Sequence, residues 1–131
     1  MPGQTVTMPP APPRPLVVKI TCGAEAPERA NQAWTVAAAG VAAGAEVTVW
    51  LTGEAVWFAV PGRSPDLGLD HATPVAELVD VVRQGGRVVV CTQCAARRDL
   101  HAADLAPGAT ISGAASFVET VLADGVQALV Y

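Results

Sequence analysis

The chain has 131 residues, of which 51% are hydrophobic and 15% are charged, against roughly 25% charged residues in an average soluble domain. This composition excludes a disordered or polyelectrolyte chain and predicts one globular domain. Twelve acidic and eight basic residues give a formal net charge of −4, whereas nucleic-acid-binding domains carry clustered basic residues and a pI above about 9. A nucleic-acid partner is therefore not expected.

Cysteine content and hydropathy predict the cellular compartment. The three cysteines, Cys22, Cys91 and Cys94, are odd in number and too few for the disulfide framework of a small secreted domain. No apolar run approaches the roughly 18 residues of a transmembrane helix, and the amino terminus lacks the features of a signal peptide. These features predict a protein that stays in the reducing cytoplasm and has no membrane partner.

The chain opens on a proline-rich segment. Six of the eleven prolines lie in the first fifteen residues. Because proline fixes φ and lacks a backbone donor, residues 1–15 are predicted to be a disordered leader. The folded domain is predicted over residues 16–131.

Strand-like and helix-like segments then alternate. Short β-branched runs predict strands over residues 16–21, 45–51, 87–91 and 126–131. A helix is expected between the first two strands, with Pro27 in its first turn and Gly44 at its end. Residues 52–60 are expected to be a short helix or a loop, and residues 61–72 an irregular connection.

Two more helices are predicted further along the chain. Thr73 is the expected N-cap of one of them, with Pro74 as its first helical residue. The other ends near Asp124 and Gly125, and its apolar positions are predicted to share one face: Ala114, Phe117, Val118, Val121 and Leu122. Strands and helices in this order predict an α/β fold with a mostly parallel sheet covered on both faces.

The most reactive residues lie where strands end. Cys91 ends the third predicted strand and Cys22 follows the first, so both thiols are expected at the carboxyl edge of the sheet, where α/β proteins bind ligands. Cys94 follows three residues later, and residues 95–98 are predicted to begin a helix. Backbone N–H groups, the helix dipole and the charges of Arg97 and Arg98 would all lower the pKa of a thiol there.

Three interpretations of Cys91 and Cys94 remain open on spacing alone. The pair could be a redox dithiol, with one sulfur attacking and the other resolving. It could bind zinc together with His101, with Cys22 as a fourth ligand. It could also be two small buried apolar residues at a strand end.

The segment Val90-Cys91-Thr92-Gln93-Cys94-Ala95-Ala96-Arg97-Arg98 resembles the active-cysteine loop of the DsrE/DsrF/TusD family of small sulfur-transfer proteins. In that loop a strand ends in cysteine, and Arg-Arg-Gly or Arg-Gly follows on the helix. Residues 105–113 also resemble the run before the last helix in these proteins, and residues 126–131 fit their terminal strand. The resemblance covers most of the chain from Leu16 onward.

The resemblance implies a fold and a function. The fold would be a DsrE/YchN-like three-layer sandwich with roughly five strands. Cys91 would carry a persulfide from a donor protein to an acceptor thiol, which is a possible sulfurtransferase activity without a cofactor. Cys94 matches a second cysteine of some relatives, and Arg97 and Arg98 could hold the charged persulfide. Relatives assemble as trimers or hexamers, so a homotrimer or homohexamer is expected, and a non-catalytic subunit is a further alternative.

Asp99 departs from the family pattern, because it stands where the relatives usually have glycine. Glycine reaches positive φ freely and aspartate at some cost, so the helix after Cys91 is predicted to continue or to be capped differently.

Four other side chains outside this loop carry weaker signals. His71 and His101 are expected to be surface side chains rather than bases or ligands. Trp57 and Phe58 are expected either to line the mouth of the site or an intersubunit surface, or to be buried. Glycine-rich phosphate-binding motifs are absent, so such nucleotide binding is not expected.

Overall fold

A computed structural model describes Gly3 and residues 12–131. Most of the predicted leader, residues 1–2 and 4–11, lies outside the described residues. The strands are β1 (Pro15–Ile20), β2 (Glu46–Leu51), β3 (Arg87–Cys91), β4 (Thr110–Ser112) and β5 (Gln127–Val130). The α-helices are α1 (Pro27–Ala42), α2 (Val75–Gly85), α3 (Thr92–Arg97) and α4 (Ala114–Leu122). Two 3-10 helices cover Gly53–Ala59 and Ala102–Asp104.

The five strands form one sheet in the order β4-β3-β2-β1-β5, and every neighbouring pair is parallel. Helices α1 and α2 cover one face, and α4 packs on the other. This confirms the predicted three-layer α/β fold, and the sheet, predicted to be mostly parallel, is parallel throughout. In such a sheet all carboxyl ends lie at the same edge, so the loops after β1, β2 and β3 are neighbours there.

Small residues let α1 lie close against the sheet. A Cβ atom at Gly40 would lie 2.9 Å from the Leu16 side chain and 3.0 Å from that of Val47, so a larger residue would push the helix away. Trp34 on the same helix is fully buried and meets Phe58 edge to face, with ring centroids 5.5 Å apart. The helix begins at Pro27 and is followed by Gly44 at φ +86°, as the sequence predicted.

Two predicted helix starts are wrong. Helix α2 begins at Val75, and Pro74 is its N-cap. The ψ of Pro74 is extended, and its carbonyl oxygen accepts a hydrogen bond from the Leu78 N–H, which is the first of the helix. Thr73 therefore does not cap the helix. Helix α3 begins at Thr92 rather than at the predicted residue 95, since the chain becomes helical directly after β3. Residues 52–60, left open as helix or loop, are mostly a 3-10 helix.

The expectation that α4 has one apolar face is also wrong in part. Phe117 and Val121 pack on the sheet, and Phe117 meets Trp50 edge to face with centroids 5.3 Å apart. Val118 and Leu122, each rotated about 100° further around the helix, are 47% and 75% exposed. The α4 face of the sheet is consequently covered less completely than the α1 and α2 face.

Strand β5 is at an edge of the sheet and is exposed along its whole length. None of the helices within the described residues is long and apolar enough to cross a membrane.

Candidate functional site

Cys91 and Cys22 lie at the same edge of the sheet, as predicted. Cys91 is the last residue of β3, and Cys22 follows β1 by two residues. Strand β2 separates β1 from β3, so the ends of the two strands that lead to these cysteines are about 10 Å apart, which is two strand spacings. A disulfide needs Cα atoms within about 7 Å. The strands thus do not by themselves bring Cys22 within bridging distance of Cys91, and both cysteines are free thiols.

Cys94 lies beside Cys91 in the first turn of α3. Its side chain is 7% exposed, and its Sγ accepts a hydrogen bond from the Gly53 N–H at 3.2 Å. Its thiol is also one of the groups that lower the pKa of the neighbouring Cys91. Gly53 has φ +56°, and a Cβ there would lie 3.0 Å from the Thr21 carbonyl oxygen, so this donor position requires glycine.

The surroundings of Cys91 favour its thiolate. Partial burial by itself raises the pKa of the thiol. Hydrogen bonds from the Cys94 N–H, the Cys94 thiol and the Gln93 N–H act in the opposite direction, as does the charge of Lys19. Together they exceed the effect of burial and lower the pKa of Cys91 below its ordinary value. Cys91 is also half-buried rather than enclosed, so a reagent can reach it.

The surroundings of Cys22 act the other way. Its side chain is 3% exposed, and burial raises the pKa of its thiol. The Glu25 carboxylate raises the pKa further, and Arg29 offsets this only in part. Glu25 also accepts the hydrogen bond of the Gly23 N–H at 2.7 Å, so that donor serves a carboxylate and not the sulfur. Cys22 is a protonated core residue.

The expectation that two arginines face Cys91 is not met. Arg98 donates from Nε to Glu54 Oε2 at 2.9 Å and from Nη1 to the Cys94 carbonyl oxygen at 3.1 Å. Arg97 is exposed and is not among the groups that shift the pKa of Cys91. The positive charge that acts on the thiol belongs to Lys19 on β1.

Arg98 belongs to a cluster that joins α3 to the loop after β2. The same Glu54 oxygen accepts a hydrogen bond from Trp57 Nε1 at 3.1 Å, and the Arg63 guanidinium lies 4.0 Å from the centre of the Trp57 ring. Trp57 is thus a half-buried member of this cluster, whereas Phe58 is in the core. Because Arg98 also holds the Cys94 carbonyl, the cluster fixes the helical turn that carries Cys94.

The predicted zinc ligands are not brought together. Among the residues that the structure describes, no group of three or more histidine, cysteine or acidic side chains could hold a metal ion. The His101 ring lies 3.3 Å from an Asp99 carboxylate oxygen. The backbone N–H of His101 donates a hydrogen bond to the Asp104 carboxylate at 2.8 Å. Both His101 and His71 are exposed, as predicted.

The expectation that Asp99 changes the end of α3 is wrong. Asp99 adopts φ +53°, the left-handed conformation that glycine would take. The Leu100 N–H donates to the Ala95 carbonyl at 2.9 Å and the Asp99 N–H to that of Ala96 at 3.2 Å. These two bonds form the Schellman cap that commonly ends a helix. The loop therefore keeps a glycine-type path despite the aspartate.

Three residues of the site were not recognised from the sequence. Lys19 is a lone charge within an apolar strand, Gly53 follows β2 at the carboxyl edge, and Glu54 comes next to it. The first two carried a usable signal, because a charge in a buried strand and a glycine beyond a strand end both call for an explanation. Glu54 carried none, since its partner Arg98 is 44 positions away.

The sequence matches the DsrE/DsrF-like family over residues 16–130. The chain belongs to this family. Membership indicates a role of the sulfur-relay type. The comparison with curated proteins finds no match.

Two solved structures of this fold are similar to the DsrE/DsrF-like chain. The YchN protein from E. coli superposes with a TM-score of 0.71 at 18% identity, over 90% of this chain and 99% of that one. The MTH1491 protein from Methanobacterium thermoautotrophicum superposes with a TM-score of 0.63 at 13% identity, over the same shares of the two chains. At such identities the likeness shows the shared fold.

Proposed function

We propose that the protein carries sulfane sulfur as a persulfide on Cys91 and passes it to an acceptor thiol. The observation that carries the proposal is the contrast in pKa among cysteines at one sheet edge: the pKa of Cys91 is lowered in a reachable position, whereas that of the buried Cys22 is raised. Accepting sulfane sulfur requires a thiolate, since the thiolate is the nucleophile.

The donors that favour the Cys91 thiolate also suit a persulfide. The negative charge of a persulfide lies on its outer sulfur, one S–S bond of about 2.05 Å beyond the Cys91 sulfur, and the Gln93 and Cys94 N–H groups and Lys19 would act on it there. Transfer then follows ordinary exchange chemistry: an acceptor thiolate attacks the outer sulfur, and the Cys91 thiolate leaves. A leaving thiol of low pKa leaves faster, so one property serves both loading and unloading.

The partners follow from this chemistry and from the family. A protein or low-molecular-weight persulfide would donate the sulfur, and a protein thiol would accept it, in a sulfurtransferase reaction that uses no bound cofactor. A reactive thiol of this kind must be kept reduced, so we place the protein in the cytoplasm.

A loading experiment tests the proposal. Wild-type protein, Cys91→Ser and Cys22→Ser are exposed to inorganic polysulfide without oxygen, alkylated, and analysed by intact mass and peptide mapping. We expect wild type and Cys22→Ser to react at Cys91, by gaining one sulfur atom there or by forming a disulfide that includes Cys91. Cys91→Ser should remain unchanged. Loading of Cys91→Ser to the wild-type extent would refute the proposal.

We further propose that a second copy of this chain covers the surface formed by α4 and β5. Leu122 and Val130 are 75% and 64% exposed there, and no strand of the described residues pairs with the outer edge of β5. A homotrimer or homohexamer, as the family resemblance implies, would bury this surface.

Light scattering should give an oligomer for wild type and a smaller species for Leu122→Glu, with Val81→Glu on the exposed side of α2 as the control. A monomeric wild type would overturn this.

A further inference from the structure

We infer that Cys94 is a resolving thiol, which attacks the persulfide on Cys91, forms a Cys91–Cys94 disulfide and releases sulfide. The inference rests on the proposed function, because it needs sulfane sulfur on Cys91. It makes the persulfide short-lived unless an acceptor is engaged, and it gives the protein a second outcome, reduction of sulfane sulfur.

The first support is the geometry of the pair. Cys91 is the N-cap residue of α3 and Cys94 lies in the first turn of that helix, so the two side chains lie close together at the start of the helix. Residues three apart in a helical turn have Cβ atoms about 5–6 Å apart, and disulfides span Cβ distances of about 3.5–4.5 Å and Cα distances up to about 6.8 Å. A small local adjustment at the start of α3 therefore closes the disulfide bond, without movement of β3.

The second support is the way in which Cys94 is held. The Gly53 N–H approaches its sulfur from the β2 side, and the Arg98 guanidinium holds its carbonyl oxygen. Arg98 is fixed in turn by Glu54, an ion pair at 2.9 Å. A buried cysteine that serves only as apolar filling needs none of these polar contacts. Together these contacts hold the helical turn that carries Cys94, three residues after Cys91.

The reaction balances without an oxidant. The Cys94 sulfur attacks the inner sulfur of the Cys91 persulfide, the bond between the inner and outer sulfur atoms breaks, and the outer sulfur leaves as HS− with the proton of the Cys94 thiol. The sulfane sulfur gains two electrons, which come from the two cysteine sulfur atoms as they form the disulfide. An external thiol reductant then returns both cysteines to thiols and completes the cycle.

The position of Cys94 also explains why the acceptor must act quickly. The resolving thiol is part of the same turn, so its effective concentration exceeds that of any free thiol. An acceptor protein competes only when it is docked over Cys91 and reaches the outer sulfur, while Cys94 reaches the inner one. The same site would thus relay sulfur when an acceptor is bound and release sulfide when none is.

The experiment compares wild type, Cys94→Ser, Cys94→Ala and Cys22→Ser after loading with inorganic polysulfide under anaerobic conditions. Excess donor is removed by rapid desalting, and intact mass is followed with time, with free sulfide measured in parallel. In wild type and Cys22→Ser we expect the one-sulfur adduct to decay as two thiols per chain are lost to a disulfide. In both Cys94 variants it should persist at least about tenfold longer. Protein handled identically without polysulfide should form no disulfide.

Each outcome distinguishes the two proposals. Equal lifetimes of the adduct in wild type and the Cys94 variants, with no Cys91–Cys94 disulfide, would overturn the resolving role and leave sulfur carriage intact. Absence of any polysulfide-dependent change at Cys91 in wild type, in Cys22→Ser and in both Cys94 variants, all folded by circular dichroism, would overturn carriage itself and the resolving role with it.

Glu54 is a positioning residue in this scheme, and its role has a separate readout. In Glu54→Gln the ion pair to Arg98 is lost, so the turn that carries Cys94 is held less firmly. Disulfide formation should slow, and the pH at which Cys91 is half-maximally alkylated should rise, because the Cys94 thiol no longer supports the thiolate as well. Glu54→Asp should restore part of the rate of disulfide formation and part of the lower pH of half-maximal alkylation. An unchanged pH profile would remove Glu54 from the scheme.

Discussion

The loops after β1 and β3 end at the same edge of one sheet, yet they treat their cysteines in opposite ways. In the loop after β3, the backbone N–H groups of Gln93 and Cys94 lower the pKa of Cys91. In the loop after β1, the Gly23 N–H serves the Glu25 carboxylate, and that carboxylate raises the pKa of Cys22. Position at the carboxyl edge is thus not sufficient for a reactive thiol. The reactivity of the thiol depends on whether the backbone N–H groups that follow the cysteine lower its pKa or bind another acceptor.

The contrast between the two cysteines should be largest in their alkylation by iodoacetamide. In the folded protein Cys91 should react at least about a hundredfold faster than Cys22, because Cys22 is exposed only by local opening, which costs about 3 kcal/mol or more. The alkylation rate of Cys91 should be half-maximal below the pH at which an ordinary cysteine thiol titrates, because the pKa of Cys91 is lowered, and it should fall as the pH drops through that lowered pKa.

Unfolding provides the control for this measurement. In concentrated guanidinium chloride the two cysteines lose their different surroundings, so their rates should become similar. Comparable rates for Cys22 and Cys91 in the folded state, measured by peptide mapping, would contradict the contrast.

A smaller effect should follow from removing the charge that favours the Cys91 thiolate. Lys19→Gln should raise the pKa of Cys91 and slow its alkylation at pH 7 about two- to fivefold, the range for a partly exposed charge interaction of about 0.4–1 kcal/mol. The matched control is Arg14→Gln, which changes the net charge equally but lies just before the opposite end of the same strand. Equal slowing in both variants would mean that net charge, and not the position of Lys19, sets the reactivity.

The smallest effect concerns the backbone path that ends the loop after β3. Asp99→Gly should raise the free energy of unfolding by about 0.5–1 kcal/mol, because glycine adopts φ +53° without the steric cost that aspartate meets. Chemical denaturation measures this, and the alkylation rate of Cys91 should stay unchanged. Asp70→Gly is the control, since Asp70 is also exposed but has no positive φ. If Asp99→Gly destabilises the protein as Asp70→Gly does, the strain at Asp99 is refuted.

Much of the fold could be predicted because its signals are local. The β-branched runs, Pro27 in the first turn of α1 and Gly44 after its end are properties of neighbouring residues, and the structure confirms them. The rotation of α4 could not be predicted in full. Its apolar residues cover too wide an arc to face one sheet, and packing against Trp50 selected Phe117 and left Leu122 exposed.

The candidate site, like the fold, could be predicted from the sequence only in part. The placement of Cys91 at a strand end follows from the order of elements, and that of Cys94 beside it follows from their spacing of three. The roles expected for Arg97 and Arg98 came from proximity along the chain, but a long side chain can turn to a better partner. For Arg98 that partner is Glu54, whose carboxylate the fold brings to 2.9 Å.

The sequence by itself determined the alternation of strands and helices, the carboxyl edge at which the cysteines meet, and the dithiol spacing, because these depend on residues within a few positions of one another. Only the tertiary structure decided which thiol is acidic, which charge supports it and how Cys94 is held. Those outcomes depend on Lys19, Gly53 and Glu54, which are brought to the loop after β3 from β1 and from the chain after β2. Charges and hydrogen-bond donors act through space, and the folded chain alone fixes those distances.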